Sequence, residues 1–535
     1  MVNVSYDWIN AQKGTLLPEM FLELTYNVTE PGLQEDASAS ANSEAYFSDT
    51  EQIVNGLAKD SDNYASLEFG LWGLDGNSGF LDGAPDDPGY VSGVLSGLDG
   101  VFATYPTITI DFGKQHTALI PGITITWGDA YNEWATKFRV TAYNAGAVVT
   151  QTTISNNRSL VTAVNLDMAV YNRIVIEIME WSHPRHRARC LDIFLGVQKV
   201  YRKTDLTKFE HEQSADLLSA ALPKNSITFG LRNDDDRWNP DSPSGSEVYL
   251  AERQEIIAKY GMDINGRTEW IKGGTFWISE WSTPANGLEA VFTARDLLGF
   301  MDEAYTGTRK GTLYAIALAA LQQVNLPKLK NGNNRWVMDG SLKDITTDFS
   351  ADTKEYTVAD ILQMVAHAGC CVFYQDRDGI VHIEPWKEIY SGYMIEPHIS
   401  YKHPEYNITK PLRAVSVAYG DNVRELVEVS PNGAVQTVDN PLITTREDAL
   451  RVGKQAAKIL ENRKAITSEF RADVRLDVMD NVIVTSKYAS NIIAITDIKY
   501  STTGGAFRGT YTGRVVSINL TPEARYSGEF RVGEV

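Results

Sequence analysis

The segment "YNRIVIEIMEW" (residues 171–181) is dominated by β-branched and aromatic residues. Three earlier segments share this composition: "TITIDFG" (107–113), "GITITWG" (122–128) and "KFRVTAYNAG" (137–146). Such residues favour strands, and the Gly, Asn and Asp residues between the segments favour turns. The sequence therefore predicts an all-β sandwich between about residue 50 and residue 196.

Strands also dominate the second half of the chain. The segment 269–298 is predicted to be extended, with Trp277, Ser279 and Trp281 on one face because side chains alternate along a strand. Asn265-Gly266 just before it is a strong signal for a tight hairpin. A second hairpin, over residues 370–386, is predicted to turn at Asp378-Gly379.

Two segments predict amphipathic helices. "TVADILQMVAHAGC" (357–370) has Thr357 as a cap, Asp360 three residues later and Gly369 at its end. "TTREDALRVGKQAAKILENRK" (444–464) has Thr444 and Glu447 in the spacing of a capping box.

Composition excludes several classes of protein. A chain of 535 residues is too long for one core and predicts three or four domains. The formal charge of -20 argues against a nucleic-acid-binding surface, which needs concentrated positive charge. No apolar run is long enough to span a membrane, and the N-terminus shows no secretory signal, so we expect folding in the cytoplasm of the producing cell. Three cysteines predict reduced, largely buried thiols rather than a disulfide framework.

One part of the chain resembles a known sandwich family. The block from about Leu98 to Gly196 resembles the discoidin-like β-sandwich, a galactose-binding-like jelly roll that also serves as a carbohydrate-binding module. The resemblance is carried by "ITIDFGK" (108–114), "ITITWGDAYNEWATKFRVTAYN" (123–144), "AVYNRIVIEI" (169–178) and "PRHRARCLDIFLG" (184–196).

The remainder resembles the tail-hub or tail-tip proteins of tailed bacteriophages. The matching segments are "LPKNSITFGLRNDDDRWNP" (222–240), "GGTFWISEW" (273–281), "FTARDLLGFMDEAYTG" (292–307), "YTVADILQMVAHAGCCVFYQDRDGIVHIEPW" (356–386) and "KQAAKILENRKAITSEFRADVRLDVMDNVIVTS" (454–486). The resemblance implies two tail-tube-like β-barrels joined by small α/β domains, in trimeric rings that close the tail tube. The sandwich is an elaboration ahead of that body.

Together these features predict a mainly β, multidomain fold, with a jelly-roll β-sandwich inserted ahead of a hub body of tail-tube-like β-barrels and small α/β subdomains. The predicted ranges are 1–50 for an N-terminal segment of the hub body, 51–197 for the discoidin-like sandwich, 198–305 for a first hub barrel, 306–400 for a small α/β domain, and 401–535 for a second hub barrel with one helix.

The stretch "WSHPRHRARC" (181–190) has three interpretations. His183, His186 and Cys190 could form a zinc site, but the interleaved arginines would repel the dication. The second interpretation is a closing strand on which Arg187 and Arg189 alternate with Ala188 and Cys190 and pair with carboxylates of this acidic chain. Binding of an anion or an acidic sugar is the third.

Aromatic residues of the sandwich are candidates for carbohydrate binding, which needs flat apolar faces and fixed polar groups. About half of them are expected to belong to the core, and a purely structural or protein-docking module is the alternative. The candidates are Trp72, Tyr90, Trp127, Tyr131, Trp134 and Trp181, with Asn132, Glu133 and Arg185 as polar partners.

Two acidic loops are candidates for structural calcium, the single cofactor that the sequence suggests. "DGNSGFLDGAPD" (75–86) offers Asp75, Asn77, Asp82 and Asp86, although Phe80 stands where a helix-flanked calcium loop needs glycine. "NDDDRWNPD" (233–241) is the weaker candidate.

No catalytic motif of the common hydrolase, metalloprotease or phosphate-binding types is present, and His367 is interpreted as a core histidine, so the chain is predicted not to be an enzyme. The resemblance to tail hubs implies a structural virion protein at the tail tip, a homotrimeric hub. Its expected partners are the distal tail protein, the tape measure, fibres or a receptor-binding protein, and host-surface polysaccharide, with DNA passing through an acidic lumen without specific binding. A glycan-binding adhesin and a glycan hydrolase with an accessory carbohydrate-binding module are the alternatives.

Overall fold

The computed structural model describes residues 1–517 apart from 15–17, 30–32, 35, 56–67, 69–88, 118, 129–130, 240, 242–249, 251, 265, 284–286, 325, 327–328, 330–332, 421–422 and 504–505. Trp72 and the four candidate calcium ligands of the first acidic loop lie outside the described residues. Among the described helices, none is both long and apolar enough to span a membrane.

Strands make up most of the described chain, which confirms the predicted mainly β, multidomain class. The first eleven strands are β1 (Met20–Val28), β2 (Ala37–Ala41), β3 (Tyr90–Leu95), β4 (Thr107–His116), β5 (Ile120–Trp127), β6 (Ala135–Asn144), β7 (Ala147–Ser155), β8 (Val161–Met168), β9 (Tyr171–Trp181), β10 (Arg187–Phe194) and β11 (Val197–Tyr201).

The next ten are β12 (Leu206–Ser214), β13 (Lys224–Arg232), β14 (Glu255–Ile264), β15 (Arg267–Ser282), β16 (Glu289–Arg295), β17 (Lys310–Thr312), β18 (Trp336–Met338), β19 (Thr346–Asp348), β20 (Val372–Gln375) and β21 (Val381–Glu384). The last nine are β22 (Tyr390–Ile395), β23 (Glu405–Ile408), β24 (Leu412–Tyr419), β25 (Val423–Glu428), β26 (Ala434–Val438), β27 (Lys464–Arg471), β28 (Asn481–Thr485), β29 (Ser490–Thr503) and β30 (Ala506–Val515).

The α-helices are α1 (Tyr6–Lys13), α2 (Gln52–Asn55), α3 (Leu313–Val324), α4 (Val358–Ala368) and α5 (Arg446–Leu460). The predicted capping box of α4 is confirmed, since Thr357 and Asp360 each bond the other's backbone N–H. Helix α5 instead takes its cap from Thr445, whose hydroxyl accepts from the Asp448 N–H, so the predicted Thr444 cap is wrong by one residue.

The predicted sandwich is formed by two facing sheets. One has the strand order β2-β4-β9-β6-β7 and the other β3-β10-β5-β8. Ile174, Ile176 and Ile178 of β9 are fully buried and pack with Ile123 and Ile125 of β5 in a core between the sheets. The alternating apolar residues of these strands therefore form one core layer between the two sheets.

A 13-stranded sheet forms the body of the molecule, in the order β11-β1-β14-β15-β16-β13-β12-β29-β30-β27-β23, with β28 and then β22 paired beside β29. The joint between its two halves is the pairing of β12 with β29, from Phe209 opposite Thr502 to Ser214 opposite Asp497. The two predicted barrel ranges thus share one hydrogen-bonded sheet. This is possible because β29 is 14 residues long and pairs with β28 at its beginning and β12 at its end.

A third layer combines helices with small sheets. Its sheets are β18-β21-β20, β17-β19 and β25-β24-β26. Helices α3, α4 and α5 share one hydrophobic cluster with these strands, in which Ile316, Leu362, Val417 and Val452 are buried. Residues 412–460 therefore pack mainly with the α/β region, and Ile459 also joins a smaller cluster with Ala494 of β29.

The sheets run across the predicted boundaries at residues 50 and 400. Strand β1 belongs to the large sheet, whereas β2 already pairs with β4 of the sandwich. Strand β22, at 390–395, pairs with β28 of the large sheet. Chain order does not predict these sheet boundaries, because the paired strands are far apart in sequence. That the five ranges are independent domains remains a prediction.

Candidate functional site

A buried ion network lies behind the segment 181–190. Arg189 is 3% exposed and Glu68 is fully buried. The guanidinium of Arg189 donates to both carboxylate oxygens of Glu68, with Nη1 2.8 Å from Oε1. The same guanidinium lies over the ring of Tyr131, 4.5 Å from its centroid. Burial acts to lower the pKa of Arg189, but the Glu68 carboxylate raises it above its ordinary value, so this arginine stays charged inside the protein.

Glu133 is the second carboxylate of the network. Its Oε1 lies 2.5 Å from Nδ1 of His186, and its Oε2 accepts a hydrogen bond of 2.7 Å from Nε1 of Trp181. Nη1 of Arg189 is 3.9 Å from the same carboxylate. His186 and Arg189 of the segment are therefore engaged with buried carboxylates, as the closing-strand interpretation expects for the arginine.

The pairing of strand β10 is irregular on both of its edges. The pairing register with β3 shifts between Arg187 and Arg189, and the register with β5 shifts between Cys190 and Asp192. Arg187 is partly exposed, whereas Arg189 is buried next to Cys190. Ala188 and Cys190 both belong to the apolar core of the sandwich, and Arg189 between them bonds Glu68, which is consistent with the predicted alternation.

The geometry does not favour zinc at this segment. Burial raises the pKa of the Cys190 thiol well above its usual value, and Asp192 adds to the effect, whereas a zinc ligand must be a thiolate. His183 stacks on His186 at 5.4 Å, but His186 is engaged with Glu133. Within the part of the chain that the structure describes, no three His, Cys, Asp or Glu side chains come together to hold a metal ion.

Three of the predicted sugar-binding aromatics belong to the core. Tyr90, Trp127 and Trp181 are at most 3% exposed. The Tyr90 hydroxyl donates to the Ser43 carbonyl at 3.1 Å, and Nε1 of Trp127 donates to the Thr162 hydroxyl at 3.0 Å. Their rings are closed off from any ligand outside, and Glu133 is buried with them.

The remaining described candidates meet at one end of the sandwich. The backbone N–H of Trp134 donates to the Ser182 hydroxyl, which joins the loop before β6 to the loop after β9. Asn132 and Arg185 are exposed on these loops, and both have a positive φ, of 53° and 58°. Tyr131 and Trp134 are half-buried beneath them, and Nε1 of Trp134 donates to the Asn157 carbonyl. We call Tyr131, Asn132, Trp134 and Arg185 the sandwich tip.

An exposed apolar loop borders the sandwich tip. Leu98 is 76% exposed, Val101 and Tyr105 after it are also exposed, and so is Leu95 at the end of β3. The N–H of Arg185 donates to the Gly97 carbonyl, which places this loop against the tip. The sequence prediction missed it because a short leucine-containing loop has no periodicity.

Two strand edges of the large sheet are the other candidate surface. Strand β23 pairs with β27 alone among the described strands, and β22 pairs with β28 alone. All four residues of β23 are exposed, including Ile408 at 59%. On β22 Met394 is exposed, and Ile389 is exposed just before it. We call β22 and β23 the edge strands.

The sequence carried a weak signal for these edges. The short segment "EYNI" (405–408) lies between Pro404 and Pro411, a composition that suits a short edge strand. Tyr401, shortly before the segment, is also exposed, and the Tyr406 hydroxyl donates to Ser486, which is followed by the exposed Tyr488. Nothing in the segment indicates which strand it pairs with.

The outer face of the large sheet carries charges of both signs. Lys499 of β29 lies 3.0 Å from Glu210 and 2.9 Å from Glu212 of β12, and Lys224 of β13 bonds Glu212 as well. The two lysines lower the pKa of Glu212 to about 2. The two glutamates of β12 are therefore compensated by lysines of the neighbouring strands.

Neither a protein-family model nor a curated protein matches the chain. Among solved structures it is similar to the 43 kDa tail protein of prophage MuSo2 from Shewanella oneidensis, at 13% identity over 59% of this chain and 95% of that chain, with a TM-score of 0.40. A tail protein from Neisseria meningitidis MC58 is similar at 11% identity over 59% of this chain and 93% of that one, with a TM-score of 0.40.

The family 32 carbohydrate-binding module of C. perfringens NanJ, solved in complex with galactose, is similar at 16% identity, with a TM-score of 0.21, over 33% of this chain and 99% of that one. Both resemblances carried by the sequence are thus found again among solved structures, as phage tail proteins and a carbohydrate-binding module. Identities and TM-scores this low assign no function, which must be argued from the chain's own residues.

Proposed function

We propose that this chain is a structural component of a phage tail, a trimeric hub that closes the distal end of the tail tube and connects it to tip and fibre proteins. The observation that carries the proposal is the pair of edge strands, β22 and β23, at the borders of the same half of the large sheet. The number of copies comes from the resemblance to tail hubs.

Unpaired strand edges favour association. Monomeric proteins protect such edges with charges, prolines or covering loops. Here β23 has one charged residue, Glu405, and presents Tyr406 and Ile408 to solvent. If β23 of one copy pairs with β22 of the next, the contact is heterologous and closes a ring when the rotation is one third of a turn. The ring would then have no free edge in this half of the sheet.

The outer face of the large sheet is the candidate lining of the channel. Its lysines and glutamates are paired with each other, so a passing polyanion would meet a hydrated, nearly neutral wall. Such a wall provides no basic patch to which DNA could adhere. The proposal of free passage of DNA therefore rests on charge pairing on this face rather than on an acidic lining.

The sandwich tip is the candidate contact with the host surface. Arg185 and Asn132 offer donors and an amide, and the half-buried rings of Tyr131 and Trp134 offer apolar area. These are the group types that sugar recognition needs. Structural docking onto another tail protein through the exposed Leu98 loop is the alternative role of the sandwich.

Negative-stain images of the purified full chain test the hub proposal. We expect rings with threefold symmetry and a central hole, with the sandwiches projecting outward. Single globular particles would contradict it and would favour an adhesin or a hydrolase. Release of reducing sugar from host polysaccharide would establish the hydrolase.

A glycan array with the full chain tests the sandwich tip. Binding to host-envelope polysaccharide that is lost in the double variant Asn132→Ala/Arg185→Ala would support the assignment. An array without a positive glycan would leave docking as the role of the sandwich.

A further inference from the structure

A buried histidine lies at the joint between the two halves of the large sheet. His211 of β12 is fully buried, opposite Tyr500 of β29 on one side and Ile227 of β13 on the other. The Phe276 ring meets the imidazole edge-on, with the ring centroids 5.2 Å apart. The centroids of Tyr260 and Tyr500 are 6.3 and 6.2 Å away. A titratable group therefore lies among aromatic rings at the place where the two halves pair.

The hydrogen bonds of His211 fit a neutral imidazole. Nδ1 is 2.7 Å from the Tyr260 hydroxyl, and Nε2 is 2.9 Å from Oδ1 of Asn225 and 3.1 Å from the amide nitrogen of Gln213. A neutral ring has one donor and one acceptor, so Nε2–H donates to Asn225 and Nδ1 accepts from Tyr260. The other tautomer would leave the Tyr260 proton and the Asn225 oxygen unpaired.

Protonation of His211 breaks this match, because an imidazolium has two donors and no acceptor. Tyr260 is fully buried, and among the described residues its hydroxyl makes its one hydrogen bond with His211. Burial raises the pKa of Tyr260, so the phenol keeps its proton. That proton would lose its acceptor. A buried donor without a partner and an added buried charge both cost free energy.

Burial is the main electrostatic influence on His211, and it lowers the pKa of the imidazole to about 4, against the opposing effect of the Asn225 bond. Two charges act on the ring from outside the sheet. The Arg377 guanidinium disfavours a second positive charge, whereas the Asp477 carboxylate favours it. Burial also raises the pKa of Tyr500, so neither neighbouring phenol supplies a negative charge.

The hydrogen bonds around His211 extend to the α/β layer. Gln213, two residues along β12, donates to Oδ1 of Asp477 at 3.3 Å. Asp477 in turn pairs with Arg377 of the β20–β21 hairpin. A cavity of about 980 Å³ is lined by members of this network: Gln213, Asn225, Arg377 and Asp477. The cavity gives protons a route to the partners of the buried ring.

We infer that His211 is an acid-sensitive switch, whose protonation weakens the β12–β29 joint and the attachment of the β20–β21 hairpin beside it. The halves of the large sheet are held together near neutral pH and loosen in acid. The inference does not depend on the trimer, because every group that it uses comes from one copy of the chain.

The direction of the pH dependence follows from the lowered pKa. When the joint opens, His211 regains its ordinary pKa of about 6.5 and binds a proton more readily than in the closed state. The stability of the joint that depends on neutral His211 is therefore present above about pH 6.5 and is lost as the pH falls toward 4. With these two pKa values, the equilibrium constant for opening rises about twentyfold between pH 7 and pH 5.

Hydrogen exchange of the full chain at pH 7 and pH 5 tests the switch, with mass spectrometry as the readout and a correction for the intrinsic exchange rate at each pH. The amides of β12 and β29 should lose protection in acid. His211→Gln keeps a donor and an acceptor but does not take up a proton, so its loss should be about twentyfold smaller than that of the parent. All other titrating groups are common to both chains and cancel in the comparison.

His403→Gln is the matched control, because His403 is exposed and lies outside the joint. It should keep the full pH dependence of the parent. A second measurement needs no substitution and decides the question if His211→Gln does not fold. Deuterium exchange at the imidazole C2 of His211 follows its titration in the parent, and we expect a midpoint well below pH 6.5.

Three results would overturn the inference: the protection of β12 and β29 depends equally on pH in the parent and in His211→Gln, His403→Gln removes the dependence as well, or His211 titrates near pH 6.5. Each readout concerns a single copy, so the number of copies in the hub is tested separately by mass.

Discussion

The guanidinium of Arg377 spans both carboxylate oxygens of Asp477, with Nε 2.9 Å from each. Arg377 lies in the turn after β20, and Asp477 precedes β28 of the large sheet. The same guanidinium donates to the carbonyls of Lys272 and Val474, both at 2.8 Å. One side chain thus connects the α/β layer to the large sheet.

Arg377→Met is expected to destabilise the protein by about 2–4 kcal/mol, because it removes the cationic partner of Asp477 and the donor to the carbonyls of Lys272 and Val474. Denaturant unfolding measures the loss. Arg413→Met is the control, since Arg413 is exposed and its substitution should change stability by less than about 0.5 kcal/mol. Equal stability of the two variants would show that the ion pair does not join the layers.

Arg189→Met is expected to cost the sandwich about 3–5 kcal/mol, since it removes the guanidinium that donates to both oxygens of the buried Glu68 carboxylate. Hydrogen exchange of the amides of β10 and β5 reports the loss locally. Arg185→Ala, at an exposed position of the neighbouring loop, should leave exchange unchanged. Unaltered protection in Arg189→Met would contradict the buried network.

Asp296 predicts a pH dependence of stability. Burial raises its pKa to about 7, against the opposing effect of the Gly299 N–H, and its Oδ2 has no partner. Because the pKa is higher in the folded state, the folded protein holds this proton more tightly, and stability falls as the pH rises from about 4 to about 7. Asp296→Asn should therefore be more stable than the parent at pH 8, by about 1–3 kcal/mol, with a gain that shrinks toward pH 5.

Asp339→Asn is the control of opposite sign. Asp339 caps the short 3-10 helix Gly340–Lys343, as Asp296 caps Leu297–Phe300, and hydrogen bonds from Ser341 lower the pKa of Asp339. The stability that the Asp339 carboxylate contributes is fully present above its pKa in the unfolded chain. This stability is lost as the pH falls through its lower pKa in the folded protein. Thermal melting at pH 5 and pH 8 checks both variants. A gain for Asp296→Asn that grows as the pH falls would refute the assignment.

Ile408→Asp tests the edge strands. A carboxylate at this exposed position should block strand pairing between copies and convert the trimer to monomers, with the melting temperature of the isolated chain nearly unchanged. Light scattering after size-exclusion chromatography measures the mass. Val148→Asp, at a similarly exposed position of the sandwich, should leave the trimer intact. Dissociation in both variants would show a non-specific effect of charge.

Local sequence patterns predicted where helices and strands lie better than they predicted which strands pair with each other. The apolar alternation of β9 identifies its buried face, and Thr357 with Asp360 identifies the start of α4. Helix α3 was missed because its sequence, "LYAIALAALQQV", is apolar on nearly every side and shows no stripe.

A β-bulge changes which face of a strand the following side chains occupy, so a prediction by strict alternation fails beyond it. The register of β15 shifts between Ile278 and Glu280, so Trp277 packs in the α/β cluster while Trp281 packs against the core of the large sheet. The predicted common face of these two tryptophans is therefore wrong. The pairing of β12 with β29 is equally invisible in sequence, because almost 300 residues separate the partners.

The sequence predicted which kinds of residue interact at the candidate site, but not which individual residues pair. The sequence indicated that the arginines of 181–190 pair with carboxylates, yet Glu68 is 121 residues from Arg189 and no local pattern connects them. Glu133 was predicted to face a sugar. In the structure its carboxylate is buried and contacts Trp181, His186 and Arg189.

Sedimentation velocity of the full chain tests the central claim most directly, because the hub proposal requires association through the edge strands. We predict one species with three times the mass of a single chain at micromolar concentration. A single species with the mass of one chain at every concentration would contradict the proposal.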